Sequence, residues 1–165
     1  MPRPPLLLIS ACLLGHAVRY DGGHKFCPRL AALRQVRWLP ACPEVLAGFG
    51  IPRSPMKLRC KEGVTTVVRC ADGLDTTVRL RGACRRIAWD VLAQGVRGAV
   101  VKSASPSCAA GGAHLFPEHG GSPRPDGVGL LVQALRGLAP DLPVIDEAAF
   151  GDAGQRAAFF RRIGG

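Results

Sequence analysis

No apolar run in this chain approaches the roughly 20 residues that a membrane-spanning helix needs; the run nearest the start, Leu6 to Ile9, has only the length of a strand. The segment before it, Met1-Pro2-Arg3-Pro4-Pro5, does not lead into the longer apolar stretch of a signal peptide. A cytoplasmic protein with no membrane partner is expected. There is no internal repeat and no break in composition that marks a domain boundary, so residues 1–165 are expected to form one domain, large enough to bury its own core. A Walker loop, a Rossmann glycine fingerprint and a Ser-His-Asp pattern are all missing. So are Cys-x-x-Cys and His-x-x-x-His pairs, which leaves a finger-type zinc site without a framework.

What the chain does have is seven cysteines and a formal net charge of +10. An odd number of cysteines without framework spacing, in a reducing compartment, points to reactive or ligating thiols and away from disulfides. The positive charge is mostly arginine, scattered along the chain with no dense basic tail. Two readings stand side by side: the composition of a GC-rich genome, or a surface that favours a polyanion such as RNA.

The pattern that organises the chain is a short strand followed by a loop cysteine. Leu6 to Ile9 leads into Ser10-Ala11-Cys12, Val36 to Leu39 into Ala41-Cys42-Pro43-Glu44, and Gly98 to Lys102 into Ser103 to Cys108. Parallel neighbouring strands would bring all three thiols to one sheet edge, where α/β proteins place their chemistry. Thiols distant in sequence but equivalent in this way read as a metal or cluster site. Soft thiolates select zinc, copper(I) or iron–sulfur, and three ligands in place of four leave a corner open for reaction. Cys84 falls on an apolar helical face and Cys60 and Cys70 in a hairpin, so these read as small buried hydrophobes, with Cys27 at a helix start intermediate.

Between these points the periodicity predicts a helix over 28–36, an ordered loop over 44–55, and a hairpin over 56–70 turning at Glu62-Gly63. A helix capped by Thr77 should run to about Gln94, with Leu80, Cys84, Ile87 and Val91 on its buried face. The Gly- and Pro-rich stretch 111–127, with His114 and His119, reads as a lid or substrate wall, and Gly111-Gly112 as a weak anion nest. A helix over 128–136, a last strand over 143–146 and a terminal amphipathic helix over 153–163 complete the chain. The fold class is therefore α/β: a Rossmann-like three-layer sandwich with a mostly parallel sheet and a small β-hairpin arm.

Several polar residues accompany the cysteines. Glu44, two residues beyond Cys42, is placed to act as general base toward a bound water, or is simply a solvated loop carboxylate. Ser105 and Ser107 flank Pro106; either could donate to a substrate, and either could be a turn residue. Arg19, Tyr20, Asp21, His24 and Lys25 form a mixed polar loop in which Asp21-Gly22-Gly23 is also an ordinary turn and His24 a conceivable fourth zinc ligand. Tyr20, Arg53, Lys102 and Ser107 are the candidates for holding a substrate ring.

Together, Ser10-Ala11-Cys12-Leu13-Leu14-Gly15, Arg19-Tyr20-Asp21-Gly22, Cys42-Pro43-Glu44, Pro52-Arg53, Lys102-x-x-Ser105-Pro106-Ser107-Cys108 and Asp126-Gly127-Val128 resemble the domain of unknown function 523 family, which includes bacterial thiouracil desulfidases. The resemblance covers nearly the whole chain, with the motifs in the same order. It implies a 4Fe-4S cluster held by Cys12, Cys42 and Cys108, with one iron open to a thiocarbonyl sulfur. It further implies that Glu44 activates water and that a serine, Ser105 ahead of Ser107, assists. The chain departs from the family pattern at Ala109-Ala110, where glycine usually follows the last cysteine directly. It also carries extra Pro and Arg in the stretch before Gly127. These differences bear on the substrate more than on the cluster. The expected reaction is desulfuration of a thiolated pyrimidine, a 2-thiouracil-like base or the thiouridine of RNA, to the oxo base and hydrosulfide. The rival reading is a non-enzymatic zinc or iron–sulfur module associated with RNA.

Overall fold

The structure is a computed structural model that describes residues 3–164. The apolar run Leu6 to Ile9 forms strand β1 (Leu6–Ser10), the centre of a four-stranded, all-parallel sheet. Its partners are β2 (Arg37–Ala41) on one side and β5 (Gly98–Val101) on the other, with β8 (Val144–Asp146) beyond β5, in the order β2-β1-β5-β8. A continuous apolar run suits β1 because both sheet faces are covered. Leu8, Ala99 and Val101 face α3 (Thr77–Ala93) and α4 (Leu130–Leu138). Leu7, Ile9, Val100 and Ile145 face Leu30 of α1 (Pro28–Ala31), Phe150 of α5 (Glu147–Gly151) and Phe159 and Ile163 of α6 (Ala153–Gly164). These are the three layers expected.

The predicted hairpin forms as β3 (Met56–Lys61) and β4 (Val64–Arg69), and its turn residues Glu62 and Gly63 both take positive φ, as a tight hairpin turn requires. It is more than an arm. The stretch 111–127, expected to be a lid, contributes β6 (Ala113–Pro117) and β7 (Arg124–Gly127), which complete a second sheet in the order β4-β3-β6-β7. The reason lies in alternation that glycine and proline disguised: Ala113 and Leu115 are buried beside Leu58 while His114 between them is exposed.

Two helices also differ from the sequence reading. The helix from Pro28 stops at Ala31, because the Arg37 amide already donates to Pro5 and the chain must be extended by then. The stretch after Cys42 begins with a single helical turn, α2 (Pro43–Leu46). The predicted buried face of α3, Leu80, Cys84, Ile87 and Val91, is buried as expected. Thr77 is its first residue and not its cap: the hydroxyl accepts from the Val67 amide, and Asp75 receives the Thr77 amide.

Candidate functional site

Each of the four parallel strands delivers a polar group to the same sheet edge. Beyond β1, a 3-10 turn, Ala11–Leu14, carries Cys12 and is closed by Gly15 at φ 91. Beyond β2, Cys42 immediately precedes α2, which holds Glu44 in its first turn. Beyond β5 come Lys102 to Cys108, and beyond β8 comes Glu147, which starts α5. The strand order reverses between β1 and β5, and such a switch point is where parallel sheets bind ligands.

A cavity of about 270 Å³ opens there, lined by Cys12, Cys42 and Cys108 together with Glu44, Tyr20, Arg53, Lys102, Ser105 and Ser107. The residues proposed for the cluster, for catalysis and for holding the substrate ring therefore all face one space, whereas Asp21 does not line it. Cys84 lies outside it, buried on α3, and His24 and His114 are exposed elsewhere.

The three cavity thiols are little exposed, 8% for Cys12 and 5% for Cys108, with Cys42 half-buried. Burial pushes all three thiols up, because a thiolate loses its hydration there. Weaker influences oppose this. Arg19 acts on Cys12, the Val45 amide on Cys42, and a hydrogen bond from the Ser10 side chain on Cys108. Without a cation the site favours neutral thiols, and the Cys42 sulfur contacts the Val18 carbonyl at 3.9 Å. Cys84 is pushed up to about 12, chiefly by burial, which marks it as an inert core thiol.

Glu44 is no solvated loop carboxylate. Arg53 donates from Nε to its Oε2 at 2.7 Å, and the Ser107 hydroxyl donates to its Oε1 at 2.5 Å. Arg53 is itself fixed by the carbonyls of Gly50 and Val18. A carboxylate offers about four acceptor sites, so two remain for a water molecule. Arg53 and Ser107 thus reach the cavity chiefly as holders of Glu44.

Ser105 is arranged differently. Its Oγ accepts from the amides of Ser107 and Cys108, at 3.2 and 3.1 Å, and among the described residues its proton has no acceptor. Tyr20 is 39% exposed at the cavity rim, with the Arg19 guanidinium over its ring.

Lys102 spends all three ammonium protons, on Glu147, the Ser103 hydroxyl and the Ser103 carbonyl. Glu147 also receives the Ser103 amide at 2.7 Å, and the Lys102 amide donates to Ser10. This network holds the start of the loop in which Ala104 takes φ 57. The far end is held by α4. The amides of Leu130 and Leu131 donate to the carbonyls of Pro106 and Ser107, and a Cβ on Gly129 would lie 2.5 Å from the Cys108 and Ala109 nitrogens. Ser10, Glu147 and Gly129 position the site, a role that is not evident from the sequence alone. The signals were a serine ending the apolar run, an acid at the end of the last strand and a glycine pair, Gly127 and Gly129, opening a helix.

Burial works to raise the Glu147 carboxyl, but the bonds from Lys102 and Ser103 outweigh it and hold the group below the usual carboxylate range. A carboxyl lowered by folding contributes stability above its unfolded pKa, about 4.3, and loses it as the pH falls through the folded value. With only 19% of the side chain exposed, screening is slight. Glu147→Gln is expected to cost about 1–3 kcal/mol near pH 7, a gap that closes in acid. Thermal unfolding at neutral and acid pH checks this; a gap that stays constant with pH would mean that the charge is not responsible.

Comparison with known proteins gives three matches. Residues 7–147 match the model of the 2-thiouracil desulfurase family. The uncharacterized protein YbbK of Bacillus subtilis (strain 168) is 32% identical over 115 residues, 64% of this chain and 74% of YbbK. Among solved structures, the [4Fe-4S]-dependent thiouracil desulfidase TudS superposes with a TM-score of 0.73 at 32% identity, covering 93% of this chain and 98% of that one.

Proposed function

The chain belongs to the 2-thiouracil desulfurase family, and we propose from that premise that it converts a small thiolated pyrimidine of the 2-thiouracil type to the oxo base and hydrosulfide. The observation that carries this reading is the meeting of three thiols, a doubly held carboxylate and a serine with an unspent proton around one cavity.

The donor set fits a 4Fe-4S cluster. Three soft sulfurs line the cavity, and among the described residues no three His, Cys, Asp or Glu side chains close on a single metal ion. Soft thiolates are the ligands that iron–sulfur groups take. Thiols kept neutral by burial become thiolates when a cation binds. Cys12, Cys42 and Cys108 would hold the cluster, and no fourth cysteine lines the cavity to fill the last position. When bound, the cluster supplies a Lewis acid for the thiocarbonyl sulfur and a place for the departing sulfur.

The protein's own groups do the rest. Glu44, oriented by Arg53 and Ser107, accepts a proton from the water that attacks the thiocarbonyl carbon. Oxygen bonds to that carbon, the C–S bond breaks, and sulfur leaves with its electron pair as hydrosulfide, so no external electrons are required. Ser105, its oxygen fixed by two amides, donates its free proton to the polar edge of the ring. Tyr20 covers the cavity mouth.

Ser105→Ala is expected to retain the iron–sulfur chromophore and to lower kcat by roughly 10- to 100-fold, the value of one well-placed hydrogen bond in the transition state. Steady-state kinetics on 2-thiouracil with the anaerobically reconstituted protein checks this. Loss of the chromophore would instead make Ser105 a brace for the Cys108 turn.

A further inference from the structure

The second sheet has two unlike faces. Met56, Leu58, Cys60, Val67 and Leu115 point inward and pack with Leu80 and Cys84 of α3. Alternation along a strand puts Lys57, Arg59 and Lys61 of β3 on the opposite face, with His114 and Phe116 of β6 beside them. The parallel register sets Arg59 directly against Phe116. Lys61 and His114 are exposed and Val64 is 54% exposed, while Lys57, Arg59 and Phe116 are half-buried and Val68, opposite Lys57 on β4, is buried, so the face is open to solvent in part.

Among the described residues, no carboxylate lies within ion-pair distance of Lys57, Arg59 or Lys61. The acids around the face are Asp75, which Arg59 and Lys61 act on from the β4 edge, Glu62 in the hairpin turn, Glu118 beyond Phe116 and beside His119, and Asp126 of β7, paired with Arg124. The Lys57 ammonium lies 4.8 Å from the Phe116 ring centroid, and His114 meets Phe116 edge to face at 6.3 Å. Among the described residues, the buried Nε of Arg59 has no hydrogen-bond partner.

We infer that this face binds single-stranded RNA. Three cations at every second residue of one strand repeat at about 6.6 Å, a spacing comparable with the phosphates of an extended strand. On the neighbouring strand the exposed His114 ring offers a stacking surface, which every base can use, and Phe116, under the Lys57 ammonium, supports it edge to face. An acidic peptide would satisfy the cations but has no use for the rings, and an anionic membrane would find a single exposed aliphatic side chain here, Val64, for it to take up. The face also adjoins the catalytic cavity. A second hollow, lined by Lys57, His114 and Phe116, shares Met56, Ala104 and Pro106 with it. A strand bound on the sheet would run toward the cavity mouth.

The test measures anisotropy of a short fluorescent oligouridylate with the reconstituted protein between about 50 and 200 mM salt. Binding should weaken with salt with a logarithmic slope of about −2, as for three phosphates on a single strand. Lys57→Gln/Lys61→Gln should weaken binding at least tenfold and flatten the slope, leaving turnover of 2-thiouracil unchanged. Arg34→Gln/Arg161→Gln removes as much charge from the side of the molecule that carries α1 and α6, and should change little. His114→Ala should lower affinity without altering the slope. Equal binding by both double variants would overturn the inference. So would affinity for polyglutamate, anionic vesicles or duplex RNA that matches or exceeds affinity for the single strand. None of these outcomes bears on the desulfuration chemistry, because no substituted residue lines the catalytic cavity.

Discussion

Glu44→Gln is expected to keep the iron–sulfur chromophore while losing desulfuration by on the order of 100- to 10,000-fold, the contribution of a positioned general base. The amide is nearly isosteric but cannot take a proton from water. It also replaces one of the two acceptors that Ser107 and Arg53 now use, so some loosening of Arg53 will accompany the change. Glu44→Asp separates the two effects. It keeps the charge near Arg53 but withdraws the carboxylate by one methylene, so it should retain the cluster and recover only part of the rate. Anaerobic kinetics on cluster-loaded protein reads both variants. Full activity in Glu44→Gln would remove the carboxylate from the mechanism, and loss of iron would make Glu44 a ligand or a brace.

The second large effect concerns the thiols. Cys12→Ser, Cys42→Ser and Cys108→Ser should each fail to retain iron and sulfide and should each be inactive, because two remaining thiolates cannot hold the cluster. Cys84→Ala should retain both iron content and activity. Its sulfur is among the most buried in the chain and lies on the core face of α3, so the change will lower stability modestly. Iron and acid-labile sulfide analysis after anaerobic reconstitution makes the comparison. Ordinary cluster content in any of the three serine variants would break the proposed ligand set.

These residues were legible in the sequence for a physical reason. A buried parallel strand is nearly all apolar, so Leu6 to Ile9 and Gly98 to Val101 stand out, and the polar residues that follow must lie at the sheet edge. The family resemblance then gathered Cys12, Cys42, Glu44 and Ser105 to Cys108 into one site. Less legible was anything that depends on contact between distant segments. Arg53 reads as a substrate ligand until Glu44 is seen against it, and Lys102 until its three protons are traced to Ser103 and Glu147. The glycine pair that opens α4 marks Gly129 in one dimension, but does not show that its missing side chain makes room for the Cys108 backbone. The second sheet was hidden because Gly111, Gly112, Gly120 and Gly121 surround a five-residue strand with loop-like composition.

One site doing one reaction must release its two products together, and the most direct test follows both in a single vessel. Anaerobically reconstituted protein is mixed with 2-thiouracil, and uracil and hydrosulfide are measured over time beside the Cys108→Ser variant. Equal molar release of uracil and hydrosulfide by the wild-type protein, without added reductant and with none from Cys108→Ser, is the predicted result. A cluster-loaded wild-type protein that releases neither product, or a Cys108→Ser variant that releases both at the wild-type rate, would contradict it.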